Sequence, residues 1–136
     1  MTTLPNLLPD SEELTTTFLR VKLTTPSTID VRWPSGYDGS QTFVLVERVG
    51  GPPDRVARGT WLDKPLIQVS AGAASKAVAQ ALSAEMRAWM VLMHEYYITS
   101  PVVTFVEELV GPLWIPDPNY SPAGRYLIQF QMMVHN

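Results

Sequence analysis

The sequence has no cysteine, which excludes disulfides, thiolate nucleophiles, zinc ribbons and iron–sulfur clusters. Charge is also scarce: Asp, Glu, Lys and Arg make up 17% of the chain, against about 25% in a typical soluble domain. What charge there is sums to −3, so the electrostatic footprint of a nonspecific nucleic-acid binder is missing. No apolar run approaches the ~20 residues that span a bilayer. The start, from Met1 to Leu14, has neither a basic stretch nor an apolar block, so it does not read as a secretory signal. Proline, in contrast, is abundant: 12 residues among 136, nearly twice the usual share of about 5%. The expectation is one loop-rich cytosolic domain over 1–136, with a short flexible N-terminus over about 1–8. Its length suffices for a core, since chains near 150 residues bury roughly 70% of their unfolded surface.

Asp10-Ser11-Glu12-Glu13 has the form of a capping box, with Glu13 placed to reach back to the cap. Leu14, Phe18 and Val21 follow at i, i+4 and i+7, predicting a helix to about Lys22. Ile29, Val31 and Trp33 alternate with polar residues as in a half-buried strand. Turn residues from Pro34 to Gly39 then lead to Phe43–Val49, which predicts a hairpin. The β-branched run in that second strand predicts burial on both faces. Gly50-Gly51-Pro52-Pro53-Asp54 breaks it, and Leu66–Val69 reads as a third strand.

The longest periodic segment runs from Ser75 to Tyr96. Val78, Leu82, Glu85 or Met86, Trp89 and Met93 mark one face, and Lys76, Gln80, Ser83, Arg87 and His94 the other. Its last turns, Trp89 to Met93, are apolar all round and therefore need cover all round, from a partner subunit or from flanking loops. Two strands close the chain, Pro101–Val110 and Arg125–His135, separated by a loop from Gly111 to Gly124 that contains four prolines. This order predicts an α+β domain: a four- to five-stranded, mixed, largely antiparallel sheet with two helices on one face. A crossover through the long helix would supply the parallel pairing.

Residues able to carry chemistry are sparse. His94-Glu95 begins like a zinc-protease helix, but no second histidine follows at the required spacing. Glu107 and Glu108 are neighbours in a strand and point to opposite faces. Asp30, Asp38, Asp54 and Asp63 sit among turn residues, where aspartate serves the turn. No phosphate-cradling or dinucleotide-binding glycine pattern occurs. The expectation is a protein that is not an enzyme and takes no cofactor or metal. Arg48, Arg55, Arg58 and Lys64 form either a solvated loop balanced by Glu47, Asp54 and Asp63, or a patch facing an acidic partner surface or a phosphate backbone passing nearby.

Taken in order, several segments resemble one family. They are an early helix, Val46-Glu47-Arg48-Val49-Gly50-Gly51, Ile67-Gln68-Val69-Ser70, a serine-started helix, Gly111-Pro112-Leu113-Trp114-Ile115-Pro116-Asp117-Pro118, and Arg125-Tyr126 opening the last strand. The chain resembles the tail terminator proteins of long-tailed phages of actinobacterial hosts, over roughly residues 7 to 135. The apolar start of the strand at Pro101-Val102-Val103-Thr104 departs from that pattern.

The resemblance implies a hexameric ring on the head-proximal end of the tail tube. Such a ring stops addition of tube subunits and receives the head-completion proteins, and viral DNA passes through its lumen. The implied partners are further copies of the chain, the major tail tube protein and the head-completion proteins, and the implied location is the virion tail. The candidate interface residues are Gly111, Pro112, Trp114, Pro116, Asp117, Tyr120 and Arg125, with Arg48, Gly50, Gly51 and Arg55 beside them. Trp114 equally suits a cap on the edge of the domain's own core. A head-to-tail connector is the alternative within virion assembly, and a small-ligand-binding or enzymatic α+β domain is the alternative outside it.

Overall fold

The computed structural model describes residues 8–51, 53–56 and 59–135, with the backbone alone for 53–56 and 59–61. The order of elements is α1 (Ser11–Lys22), β1 (Thr28–Asp30), β2 (Phe43–Gly50), β3 (Pro53–Val56), β4 (Gly59–Asp63), β5 (Leu66–Ala73), α2 (Lys76–Met90), α3 (Met93–Tyr96), β6 (Val102–Pro116) and β7 (Gly124–His135). The class is α+β, as the sequence predicts, and the sheet curls into a half-barrel.

Seven strands form one sheet in the order β1-β2-β5-β7-β4-β3, with β6 on the other flank of β7. The additional strands are the β3–β4 pair, which the glycine- and proline-rich break at residue 50 conceals. The parallel pairing also arises elsewhere than expected. β1 runs parallel to β2, because the chain between them travels back to its starting end instead of turning as a hairpin. β5 and β6 both run antiparallel to β7 and flank it, so the crossover through α2 leaves them parallel but not adjacent.

Local chemistry explains the helices. Asp10 caps α1, its Oδ1 accepting from the amides of Glu12 at 3.1 Å and Glu13 at 3.2 Å, which satisfies donors that a helix start leaves open. Glu13 does not close the expected box; Glu12 instead reaches the sheet, its Oε2 accepting from the Arg48 amide at 3.0 Å. Ser75 caps α2. Glu85, on α2, accepts from the backbone amides of Thr24 and Thr25 and from the Thr24 hydroxyl. Those bonds hold its carboxyl below its ordinary value, the Thr24 hydroxyl contributing most, and fix the link after α1 to the second helix.

The predicted long helix breaks at Val91–Leu92, and its phase is rotated. Ala79, Leu82, Ser83, Met86 and Met90 are buried, while Val78 is exposed. At the apolar end, Met90 and Met93 point inward and Val91 and Leu92 outward, so the domain's own core covers part of that surface. On the sheet side the core is Val44, Val46, Ile67, Val69, Ala71, Ile128, Phe130, Met132 and Val134. The inward set from β7 is the one its alternation predicts. Phe43 to Val46 are all buried, as expected of a strand covered on both sides.

The largest departure concerns the proline-rich segment. Leu113, Trp114, Ile115 and Pro116 continue β6 and pair with Leu127, Tyr126, Arg125 and Gly124. The loop therefore shrinks to residues 117–123. Pro112 is tolerated because the register shifts between Val110 and Leu113, and a bulge asks no hydrogen bond of it.

Candidate functional site

Four of the candidate residues, Pro116, Asp117, Tyr120 and Arg125, come together at the end of the sheet where β2 begins and β6 ends. Trp33, Tyr37, Phe43, Ile115, Pro116, Asp117, Pro118, Gly124 and Arg125 line a pocket there of about 130 Å³. Trp33 and Tyr37 come from the segment between β1 and β2. That segment is stapled by Gln41, whose amide donates to the Gly36 carbonyl at 3.0 Å and whose oxygen accepts from the Asp38 amide at 3.1 Å. Gly39 has φ +87°, and a Cβ there would collide with the Tyr120 side chain, so only glycine lets the two loops close on each other.

The walls are aromatic. The Trp33 ring lies 5.2 Å from Tyr37 and 5.1 Å from Phe43, and Tyr37 meets Tyr120 edge-on at 5.7 Å, spacings at which ring pairs attract. The Tyr37 hydroxyl donates to Asp117 Oδ2 at 2.9 Å. Asp117 Oδ1 accepts from the amides of Asn119 at 2.8 Å and Tyr120 at 3.1 Å. Burial, then the bond to Asp117 and its charge, push the Tyr37 phenol up to about 12. The Asn119 amide, with Tyr37 and Tyr120 assisting, holds the Asp117 carboxyl below its ordinary value. The Arg125 guanidinium lies over Trp33, 5.1 Å from the ring centre, and donates weakly to Ser70 Oγ at 3.5 Å.

Trp114 is not part of this pocket. It pairs with Tyr126 one residue away from Arg125 and so faces the other side of the sheet. There it packs against Tyr126 at 5.0 Å, lies 5.6 Å from the Lys76 ammonium and fits against Gly124. It is half-buried, as a residue closing the edge of the domain's own core would be. Gly111 and Pro112 lie exposed in the β6 bulge.

Arg48, Gly50 and Gly51 gather at the far end of β2, about 23 Å from Phe43 by the rise of a strand. Arg48 forks onto Asp63, Nη1 to Oδ2 at 2.6 Å and Nη2 to Oδ1 at 2.8 Å. Its Nε donates to the Gly50 carbonyl at 3.0 Å, and Nη2 also reaches the Gly51 carbonyl. Gly51 has φ +88°, and a Cβ there would strike the backbone of Lys64 to Leu66. Arg55 lies in β3, but its side chain is outside the described residues, as is Arg58 entirely.

A third feature is β6 itself. Among the described residues no strand pairs with its outer edge. Phe105, Val110 and Leu113 register with Met133, Gln129 and Leu127, so they share the face turned away from the helices. They are 39%, 39% and 55% exposed, and Leu109 is 50% exposed. Arg87 on α2 holds the strand from the helix side through Glu108, at 2.6 and 2.8 Å.

Among the described residues no three metal-ligating side chains gather to hold an ion, and no helix is long and apolar enough to cross a membrane. Trp33 and Tyr37 are the site residues that sequence reasoning missed. Their signal was available: two aromatics in a glycine-rich connector, the same pattern that marked Trp114 and Tyr120. No family model matches the chain, and no curated protein matches its sequence.

Proposed function

We propose that the protein is a structural assembly subunit of a long-tailed phage, a tail terminator that closes into a hexameric ring at the head-proximal end of the tail tube. The observation that carries this reading is the open, apolar flank of β6. Fifteen residues of strand end the sheet with their outer edge unpaired among the described residues, and large apolar side chains stand exposed along them. An unprotected edge of this kind templates pairing with another chain, and apolar surface rimmed by polar residues marks an interaction site. The low charge fits the same reading, because a subunit with two different side interfaces and two axial ones needs much uncharged surface. In this role the protein is not an enzyme. It meets copies of itself, the major tail tube protein and the head-completion proteins, and DNA passes through the ring without being read.

Removing the gene tests the reading. Tails of uncontrolled length are the expected outcome. Tails of normal length that fail to join heads would assign the protein instead to the neck, as a head-to-tail connector.

A further inference from the structure

The pocket at the other end of the sheet holds a cation that no carboxylate contacts directly, although the charge of Asp117 in the same lining lies close enough to interact with it. Among the described residues Arg125 takes part in no ion pair, and its one hydrogen bond is the long contact to Ser70. The neighbouring carboxylate is engaged elsewhere: Asp117 receives two amides on one oxygen and the Tyr37 hydroxyl on the other. Arg125 therefore sits over Trp33 with most of its five N–H donors unanswered by protein groups among the described residues. The walls around it are mostly carbon, from two prolines, an isoleucine and three aromatic rings, with the Asp117 carboxylate as the polar exception.

We propose that this pocket is the docking site for an extended, acidic segment of a partner protein. The segment seats a proline or similar ring against Trp33, Tyr37 and Pro116 and sets a neighbouring carboxylate on Arg125. The size supports a single side chain, since about 130 Å³ is well below the 300–1,000 Å³ or so that small-molecule sites occupy. Aromatic walls and a preset groove are how extended proline-bearing segments are recognised. A guanidinium fork stacked on an indole keeps its edge free for a bidentate carboxylate. A phosphodiester strand fits less well, because it draws affinity from many cations and Arg125 is the sole Lys or Arg in the lining. The lock from Tyr37 to Asp117 and the close contact at Gly39 hold the walls in place before anything binds, which lowers the ordering cost of association. The proposal is independent of ring assembly, since a monomer presents the same pocket.

The test uses the full chain and an end-capped Ala-Pro-Asp-Pro-Ala peptide, followed in proton–nitrogen correlation spectra at the Trp33 indole and the Arg125 guanidinium. Both resonances should shift saturably. Binding should weaken by about tenfold when the peptide carries Asn in place of Asp, and should weaken likewise in Arg125→Gln but less in Arg125→Lys. Trp33→Leu, which keeps the charge, should weaken it independently. The same spectra report whether each variant is folded. The proposal is overturned if millimolar peptide moves neither resonance, or if the Asn peptide binds as well. It is overturned equally if inorganic phosphate or a single-stranded oligonucleotide gives the same shifts, or if raising protein concentration alone produces them, which would make a second copy the occupant.

Discussion

Arg48 and Arg125 lie at opposite ends of one sheet and show two uses of the same side chain. Arg48 is enclosed: a carboxylate only 4% exposed takes its fork, and two backbone carbonyls take what remains. Its proton is held more tightly than usual, chiefly by the bond to Asp63. Arg125 is open: Trp33 lies beside it, and among the described residues no anion contacts it directly. The difference lies in where the nearest carboxylate is committed. Asp63 has Arg48 as its partner, whereas Asp117 is saturated by amides and a phenol. The first end is a staple that joins β2 to the close of β4, and the second is a prepared surface.

Removing the staple should have the largest effect. Arg48→Ala leaves the Asp63 carboxylate buried without a partner, which costs about 3–5 kcal/mol by precedent for broken buried pairs. Urea unfolding would read this as a drop in midpoint. Gly39→Ala acts at the other end: it forces a side chain into a positive-φ position and into Tyr120, and should cost about 1–3 kcal/mol. The Tyr37–Tyr120 ring contact should be lost in the same variant, visible as a change in near-ultraviolet circular dichroism. Arg125→Gln should leave stability within about 0.5 kcal/mol of wild type, because it breaks no ion pair. A loss as large as that of Arg48→Ala would erase the contrast between the two ends.

Titration probes the pocket end alone. Tyr37 is raised to about 12, so its contribution is complete below the unfolded value near 10 and fades as pH rises from about 10 to 12. Asp117 is depressed, so its contribution is complete above the unfolded value near 4 and fades as pH falls below it. Phenol absorbance should show one tyrosine ionising near 12. Phe43 and Trp33 resonances should broaden or shift in acid as the lock to Asp117 opens.

The sequence showed clearly those elements whose pattern is local. The cap at Asp10, the buried run from Phe43 to Val46 and the alternation from Tyr126 to Val134 each follow from neighbours along the chain. What it concealed depends on pairing at a distance. Leu113 to Pro116 read as loop because proline is a poor strand former, and only their register with β7 and the bulge at Pro112 make them strand. Likewise β1 looked like the first arm of a hairpin, since nothing local says that the twelve residues from 31 to 42 return the chain to the same end. Of the site, Asp117 and Arg125 were marked only through the family resemblance, while the prolines and aromatics around them marked the segment as an ordered loop. Their partners Trp33 and Tyr37 lie some eighty residues earlier, and no spacing rule connects the two segments. Arg48 was legible as a charge near a turn, but its saturation by Asp63 is a property of the folded chain.

The central claim is that the open flank of β6 is where copies of this chain meet. Sedimentation velocity of the full chain over a rising concentration series tests it most directly, with wild type beside a Leu109→Lys, Leu113→Lys variant. Both substituted residues are exposed, so the folded subunit should tolerate the lysines. Wild type should form a discrete six-subunit species, and the variant should remain a monomer at the same concentration. A wild-type chain that stays monomeric throughout, or a variant that assembles as well as wild type, would contradict the claim.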